Sequence, residues 1–115
     1  QSETIRKSAE QGSAIIVGRC SNYILRDMEC TLNVFLTSPL ETRAARIAER
    51  TGLSIDKATE MAEEKDRKRA EYYNYYTFTD WGTASTYDLC LDSSILGIEG
   101  TADLIIEFAR KAGKI

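Results

Sequence analysis

Histidine is absent from this 115-residue chain, proline occurs once, and the three cysteines, Cys20, Cys30 and Cys90, are widely spaced. Without histidine the commonest general base is missing, so any chemistry must rest on positioning, electrostatics or carboxylates. With no C-x-x-C pair either, no ligand set for structural zinc exists, and reduced thiols suit a cytoplasmic protein. No run approaches the ~18 apolar residues of a membrane span, and no secretory signal opens the chain. A net charge of −3 argues against binding to nucleic acid, which draws its affinity from neutralised phosphates. The fifteen lysines and arginines are nonetheless unevenly placed. Ten of them are Arg19, Arg26 or lie between Arg43 and Arg69, which suits a small anionic ligand better than a polyanion.

A hydrophobic content of 43% with 29% charged residues, over this length, bounds the chain to one globular domain with a modest core. Helical composition from Glu3 to Gln11 stops at Gly12-Ser13, so the chain begins inside a helix. The apolar run Ala14-Ile15-Ile16-Val17 reads as a strand covered on both faces, followed by Gly18-Arg19 and a short helix over about 21–25. Leu32 to Leu36 reads as a second strand. Ser38-Pro39-Leu40-Glu41 then reads as a capping box, with proline at the first helical position of a helix running to Thr51. A longer helix is predicted from about Ile55 to Tyr73, capped by Ser54. The stretch from Thr77 to Thr86 is irregular, Tyr87 to Leu91 reads as a third strand, and a last helix over about 101–112 buries Ala102, Ile105, Ile106 and Ala109. Helices alternating with strands, without a hairpin signal, predict an α/β domain with a parallel sheet. Three strands are few for such a sheet, so a segment upstream is expected to complete it.

The densest charge lies in K-D-R-K-R-A-E-Y-Y-N-Y-Y, Lys65 to Tyr76. The helix's apolar seam is predicted to enter through Ile55, Ala58, Met61 and Ala62 and to leave through Tyr72, Tyr73 and Tyr76. Helical spacing then puts Lys65 and Arg69 on the inward face, where a cation is costly unless it meets an anion. The alternative is a solvated face with Glu63–Arg67 and Glu64–Lys68 pairs, which accounts for Arg67 and Lys68 but not for Lys65 and Arg69. Ligands of open α/β sheets bind beyond the carboxyl ends of the strands. Gly18-Arg19 falls there, as a tight turn carrying either a functional or a solvent-facing arginine. Arg43, Arg46 and Arg50, at i, i+3 and i+7, form a cationic ridge that is either solvated or phosphate-binding. Asp92-Ser93-Ser94 reads as a turn and helix cap. The tyrosines at 72, 73, 75 and 76 either stack on a base or pack the helix end against the sheet, and packing is the expectation.

The order of these pieces carries a resemblance: a strand ending G-R, then V-F-L-T-S-P-L-E-T-R-A-A-R, then K-D-R-K-R-A, then W-G and Y-D-L-C-L-D-S-S-I-L-G-I-E. From about Ile5 to Lys111 the chain resembles the cytidylate kinase and cytidylate kinase-like branch of the nucleoside monophosphate kinases. The W-G and Y-D-L-C-L-D-S-S parts are the more specific. This resemblance implies a P-loop kinase-like three-layer α/β fold, a parallel sheet with helices on both faces, incomplete at its N-terminus. Residues 1–115 would be the C-terminal portion of a single domain, with a lid region at about 51–80. It implies ATP and Mg2+ as cofactors of the full-length protein and a nucleoside monophosphate as acceptor.

Residue by residue, Arg19 matches the arginine of the family's G-R-D, which holds the acceptor's phosphate. Arg69 and Asp66 match the closing arginine and the acid of the lid motif R-D-R-x-R, where the arginine reaches the transferring phosphate. Lys65 lies beside them in the candidate catalytic cluster. Arg46 and Arg50 match arginines that contact the donor's adenine and phosphates. Two positions depart from the pattern: Cys20 replaces the aspartate of G-R-D, and Ala62 stands where an earlier lid arginine is found. No G-x-x-x-x-G-K-[ST] occurs, and the family's loop of that kind, which cradles the donor phosphates, lies on an earlier strand. That strand would lie between Ala14–Val17 and Leu32–Leu36. The expected partner is therefore the missing N-terminal segment, or another chain filling the same slot. By this reading the chain is a phosphotransferase fragment, inactive alone. The competing reading is a non-catalytic module that binds anions or a protein through the Lys65–Tyr76 helix. Nucleic-acid binding through K-D-R-K-R is a third, at odds with the acidic balance.

Overall fold

The computed structural model describes residues 2–18 and 20–115. The described residues form α1 (Ser2–Gln11), α2 (Ser21–Ile24), β1 (Val34–Thr37), α3 (Leu40–Thr51), α4 (Ile55–Thr77), β2 (Leu89–Asp92) and α5 (Ser93–Lys111), with a 3-10 turn at Ala84–Thr86. β1 and β2 pair in parallel, Val34 opposite Leu89 through Thr37 opposite Asp92. The parallel, crossover-connected arrangement agrees with the sequence reading. The three-layer sheet does not: among the described residues the sheet has two strands.

The missing strand is Ala14–Val17. This apolar run adopts no regular structure, and Ile15 is 96% and Val17 85% exposed. A strand exists only where its N–H and C=O groups find a ladder, and no described strand lies beside this one. The molecule is correspondingly open. Its radius of gyration is 15.6 Å, against about 13 Å for a compact domain of this size.

The firmest packing joins α3 to α4, two antiparallel helices connected across Gly52. Gly52 closes α3 in the left-handed conformation, with φ 78°, donating its N–H to the Ala48 carbonyl. Ser54 caps α4, its side chain accepting from the Lys57 N–H at 3.2 Å. Both signals were legible in the sequence. Ala44, Ile47, Ala58 and Ala62 bury one another between the two helices, and the three alanines let the backbones approach closely.

The start of α3 departs from the predicted capping box. Pro39 is the cap residue, in extended conformation, and its carbonyl accepts from the Arg43 N–H at 3.1 Å. Ser38 thus lies one residue too early for reciprocal bonding with Glu41. Its Oγ is buried without a hydrogen-bond partner among the described residues. In α5 the buried residues are Thr101 and Ala109, with Ile105 half-buried between them. Ala102 and Ile106 are exposed instead; the helical segment begins at Ser93, earlier than predicted, and is interrupted at Gly97, whose φ of 74° and ψ of −178° are not helical.

The W-G segment straps β1. Phe35 meets the Trp81 ring edge-on at 5.4 Å and the Tyr87 ring at 5.0 Å. Gly82, with φ 82°, lies so close that a Cβ would stand 3.3 Å from the Phe35 ring. Here the glycine serves both a left-handed turn and a close approach.

Candidate functional site

At the carboxyl end of the sheet, β1 leads through Ser38-Pro39 into α3 and β2 leads directly into α5. Asp92 caps α5, its carboxylate accepting from the Ser94 N–H at 2.9 Å and the Ser94 hydroxyl at 2.6 Å. These two bonds, with a contribution from the charge of Arg46, hold the Asp92 carboxyl below its usual range. Asp92-Ser93-Ser94 is thus a helix cap, as its sequence suggested.

Asp66 is the centre of the charged cluster. Its carboxylate meets Arg43 Nη1 at 2.6 Å and Arg69 Nη1 at 3.6 Å, from α3 and from its own helix. Arg43 Nε also donates to the Ser38 carbonyl at 3.0 Å, which ties the pair to the end of β1. The geometry corrects the predicted phase of α4. The inward seam is Ala58, Ala62, Asp66, Tyr73 and Thr77, with Asp66 the half-buried polar member. Lys65 and Arg69 are exposed on the adjacent stripe. Alanines against α3 set the rotation of the helix, and the long cationic side chains are left in water.

Arg67 forms surface pairs with Glu64 and Glu71, and Lys68 lies 3.7 Å from Glu64, so both belong to a solvated face. The predicted Glu63–Arg67 pair does not form. Arg46 and Arg50 are exposed on α3 and have no ion-pair partner among the described residues. Arg19 lies outside the described residues. Arg43 is the residue whose role the sequence reading missed. It stood in the i, i+3, i+7 ridge, but nothing in that spacing shows that it turns inward to an acid 23 residues away.

The tyrosines divide. Tyr73 is buried and its hydroxyl accepts from Asn22 Nδ2 at 2.8 Å, linking α4 to α2. Tyr72, Tyr75 and Tyr76 remain exposed, so the expected packing holds for one ring of the four. Burial, followed by the neighbouring Tyr73 hydroxyl, pushes the Tyr87 phenol from its ordinary 10.0 up to about 12. The folded protein keeps this proton after the unfolded chain has lost it. Tyr87 therefore contributes stability that is whole below roughly pH 10 and is lost as the pH rises toward the folded value. Urea unfolding of Tyr87→Phe should show a flatter decline of stability over that window than the parent protein. Identical slopes would exclude the phenol as the source.

Cys20 is buried in a left-handed conformation with φ 57°, and burial pushes its thiol up. It is neutral at physiological pH and cannot act as an aspartate would. Ala62, 3% exposed in the α3–α4 core, leaves no room for an arginine.

Comparison with known proteins agrees with this frame. Residues 1–95 match the cytidylate kinase-like family. The cytidylate kinase of Pyrococcus horikoshii is 30% identical over 100 residues, covering 86% of this chain and 50% of that protein. That of Methanopyrus kandleri is 32% identical over 98 residues, covering 77% and 50%. The crystal structure of an uncharacterized protein from Eubacterium ventriosum superposes with a TM-score of 0.91 at 32% identity, over 96% of this chain and 63% of that one. The chain spans about half the length of the curated relatives it matches. From the first helix to the start of α5 its residues follow one family pattern, and the chain belongs to the cytidylate kinase-like family.

Proposed function

We propose that these residues form the lid-bearing, C-terminal portion of a cytoplasmic ATP-dependent kinase that phosphorylates a CMP-like nucleoside monophosphate. The observation that carries this reading is the meeting of Arg43 and Arg69 on Asp66 beside the strand ends, in a chain of this family. Phosphoryl transfer asks the protein mainly for positioning and charge neutralisation, which arginines supply without a histidine base. Arg69 neutralises charge on the transferring group. Asp66 orients it, and Arg43 fixes Asp66 against β1. Lys65, one turn before Arg69 on the same exposed stripe, adds positive potential. Arg19 holds the acceptor's phosphate. With a neutral thiol at Cys20 and an alanine at Ala62, the acceptor site lacks one anionic and one cationic contact of the family pattern.

The cofactors fit unequally. Arg46 and Arg50, exposed and unpaired among the described residues, suit the adenine and phosphates of ATP. For Mg2+ the described residues hold no cluster of carboxylates, thiols or imidazoles able to bind a metal ion, so no step is assigned to it here. Nor do they contain a helix long and apolar enough to cross a membrane.

The test is ADP formation by the full-length protein with ATP and CMP, UMP or dCMP. CMP-dependent turnover is expected. Nucleotide binding without turnover under any of these acceptors would favour a non-catalytic binding module built on the Lys65–Tyr76 helix.

A further inference from the structure

The turn ahead of α2 and α2 itself form one hydrogen-bonded unit. Gly18 and Cys20 both lie in the left-handed region, at φ 70° and 57°, and the Ser21 N–H donates to the Gly18 carbonyl at 3.1 Å. The N–H groups of Tyr23 and Ile24 both reach the Cys20 carbonyl at 3.0 Å, and that of Leu25 reaches the Ser21 carbonyl at 2.9 Å. A helix of a single turn has too few bonds to fix its own place, so the position of the unit depends on what holds it from outside. Among the described residues one side-chain hydrogen bond ties it to α4: Asn22 Nδ2 donates to the Tyr73 hydroxyl at 2.8 Å. The accepting oxygen is well anchored. Tyr73 is buried, and the Tyr87 hydroxyl lies beside its own. The turns around Tyr73 are fixed too, since Asn74 Oδ1 accepts from the Trp81 N–H at 2.7 Å and Thr77 Oγ1 bonds to Thr79 Oγ1 at 2.8 Å.

The places of the two partners in the chain give this bond a task. Tyr73 follows Arg69 by four residues, about 6 Å along α4, and Asn22 follows Arg19 by three. We infer that the Asn22–Tyr73 hydrogen bond sets the spacing between the turn that carries Arg19 and the helix that carries Arg69, and that both partners are positioning residues for phosphoryl transfer. This rests on the kinase reading and adds to it how arginines from two separate segments are brought to bear on one reaction: Arg19 on the acceptor's phosphate, Arg69 on the group being transferred. Neither Asn22 nor Tyr73 touches the reacting atoms. One hydrogen bond between neutral groups contributes little to the fold, whereas an error of an ångström in the alignment of reacting groups is costly to the rate. The bond is therefore expected to show in the kinetics more than in the stability.

The test uses the full-length protein and three variants: Tyr73→Phe, which keeps the buried ring and removes the hydroxyl, Asn22→Ala, and the two combined. Turnover per folded molecule is measured with ATP and cytidine 5′-monophosphate, CMP binding by calorimetry, and stability by denaturant unfolding. Each single variant should lower kcat/KM for CMP roughly tenfold and weaken CMP binding. KM for ATP should be unchanged, because Arg46 and Arg50 are not reached through this bond. The double variant should be no worse than either single one, since both remove the same interaction. Two results overturn the inference and leave the kinase standing: variants that lose stability with kcat/KM for CMP intact, or single effects that multiply in the double variant. A parent protein that binds CMP without turnover, with binding weakened equally in all three variants, sinks the kinase reading and keeps the positioning bond. Neither binding nor turnover in the parent overturns both.

Discussion

Replacing Arg69 with alanine in the full-length protein will lower turnover by about 10³-fold or more, the worth of an arginine that neutralises a transferring phosphoryl group. The fold should scarcely notice. Arg69 approaches Asp66 at 3.6 Å, and its side chain is 62% exposed. Exposed pairs of this kind contribute about 0–1 kcal/mol. Asp66 keeps its closer partner, Arg43 at 2.6 Å, when Arg69 is gone. The informative measurement is turnover per folded molecule, with stability from denaturant unfolding on the same preparation. A loss of several kcal/mol with turnover preserved would make Arg69 a structural member of the ion pair and remove it from the chemistry.

The second large effect is expected of the 115 residues expressed by themselves. They should show no measurable phosphoryl transfer to CMP, UMP or dCMP, and they should associate instead of remaining a 12.9 kDa monomer. The first expectation follows from the lack of a G-x-x-x-x-G-K-[ST] loop in these residues. The second follows from exposed surface. Ile15, Val17, Leu36, Ile95 and Ile98 are more than half exposed, and a two-stranded sheet offers open edges on both sides. No large side chain is fully buried among the described residues. Light scattering combined with mass spectrometry of the same sample decides the point. A cooperative monomer without a second peptide, or turnover free of contaminating kinase, would contradict it.

What the sequence made legible was local. The Ser54 cap, the Gly52 stop and the Asp92 cap each involve a side chain or a φ angle bonding within three or four residues. Such signals survive whatever the tertiary context. Some errors were local, the capping box at Ser38 and the start of α5 among them; the larger ones were tertiary. Ala14–Val17 has the composition of a buried strand, but a ladder needs a neighbour that composition does not reveal. The predicted seam of α4 is right at Ala58, Ala62 and Tyr73, but carrying it through Tyr72 and Tyr76 as well tilts its middle toward Lys65 and Arg69, whereas the close approach of the alanines to α3 continues it through Asp66. Arg43, the cation that Asp66 meets, stood among three similar arginines with nothing local to single it out.

The alanine packing of α3 on α4 has a mechanical consequence. Its interlock, with the Arg43–Asp66 bridge across it, makes the two helices one stiff lever. Near its far end, Tyr73 and Thr77 moor α4 to the body of the protein. The arm from Thr77 to Ile55 spans 22 residues, about 33 Å at 1.5 Å per residue, so a pivot of about 10° would sweep its tip by about 6 Å. Arg46, Arg50 and Arg69 all ride on that arm. Any pivot of the arm carries all three together.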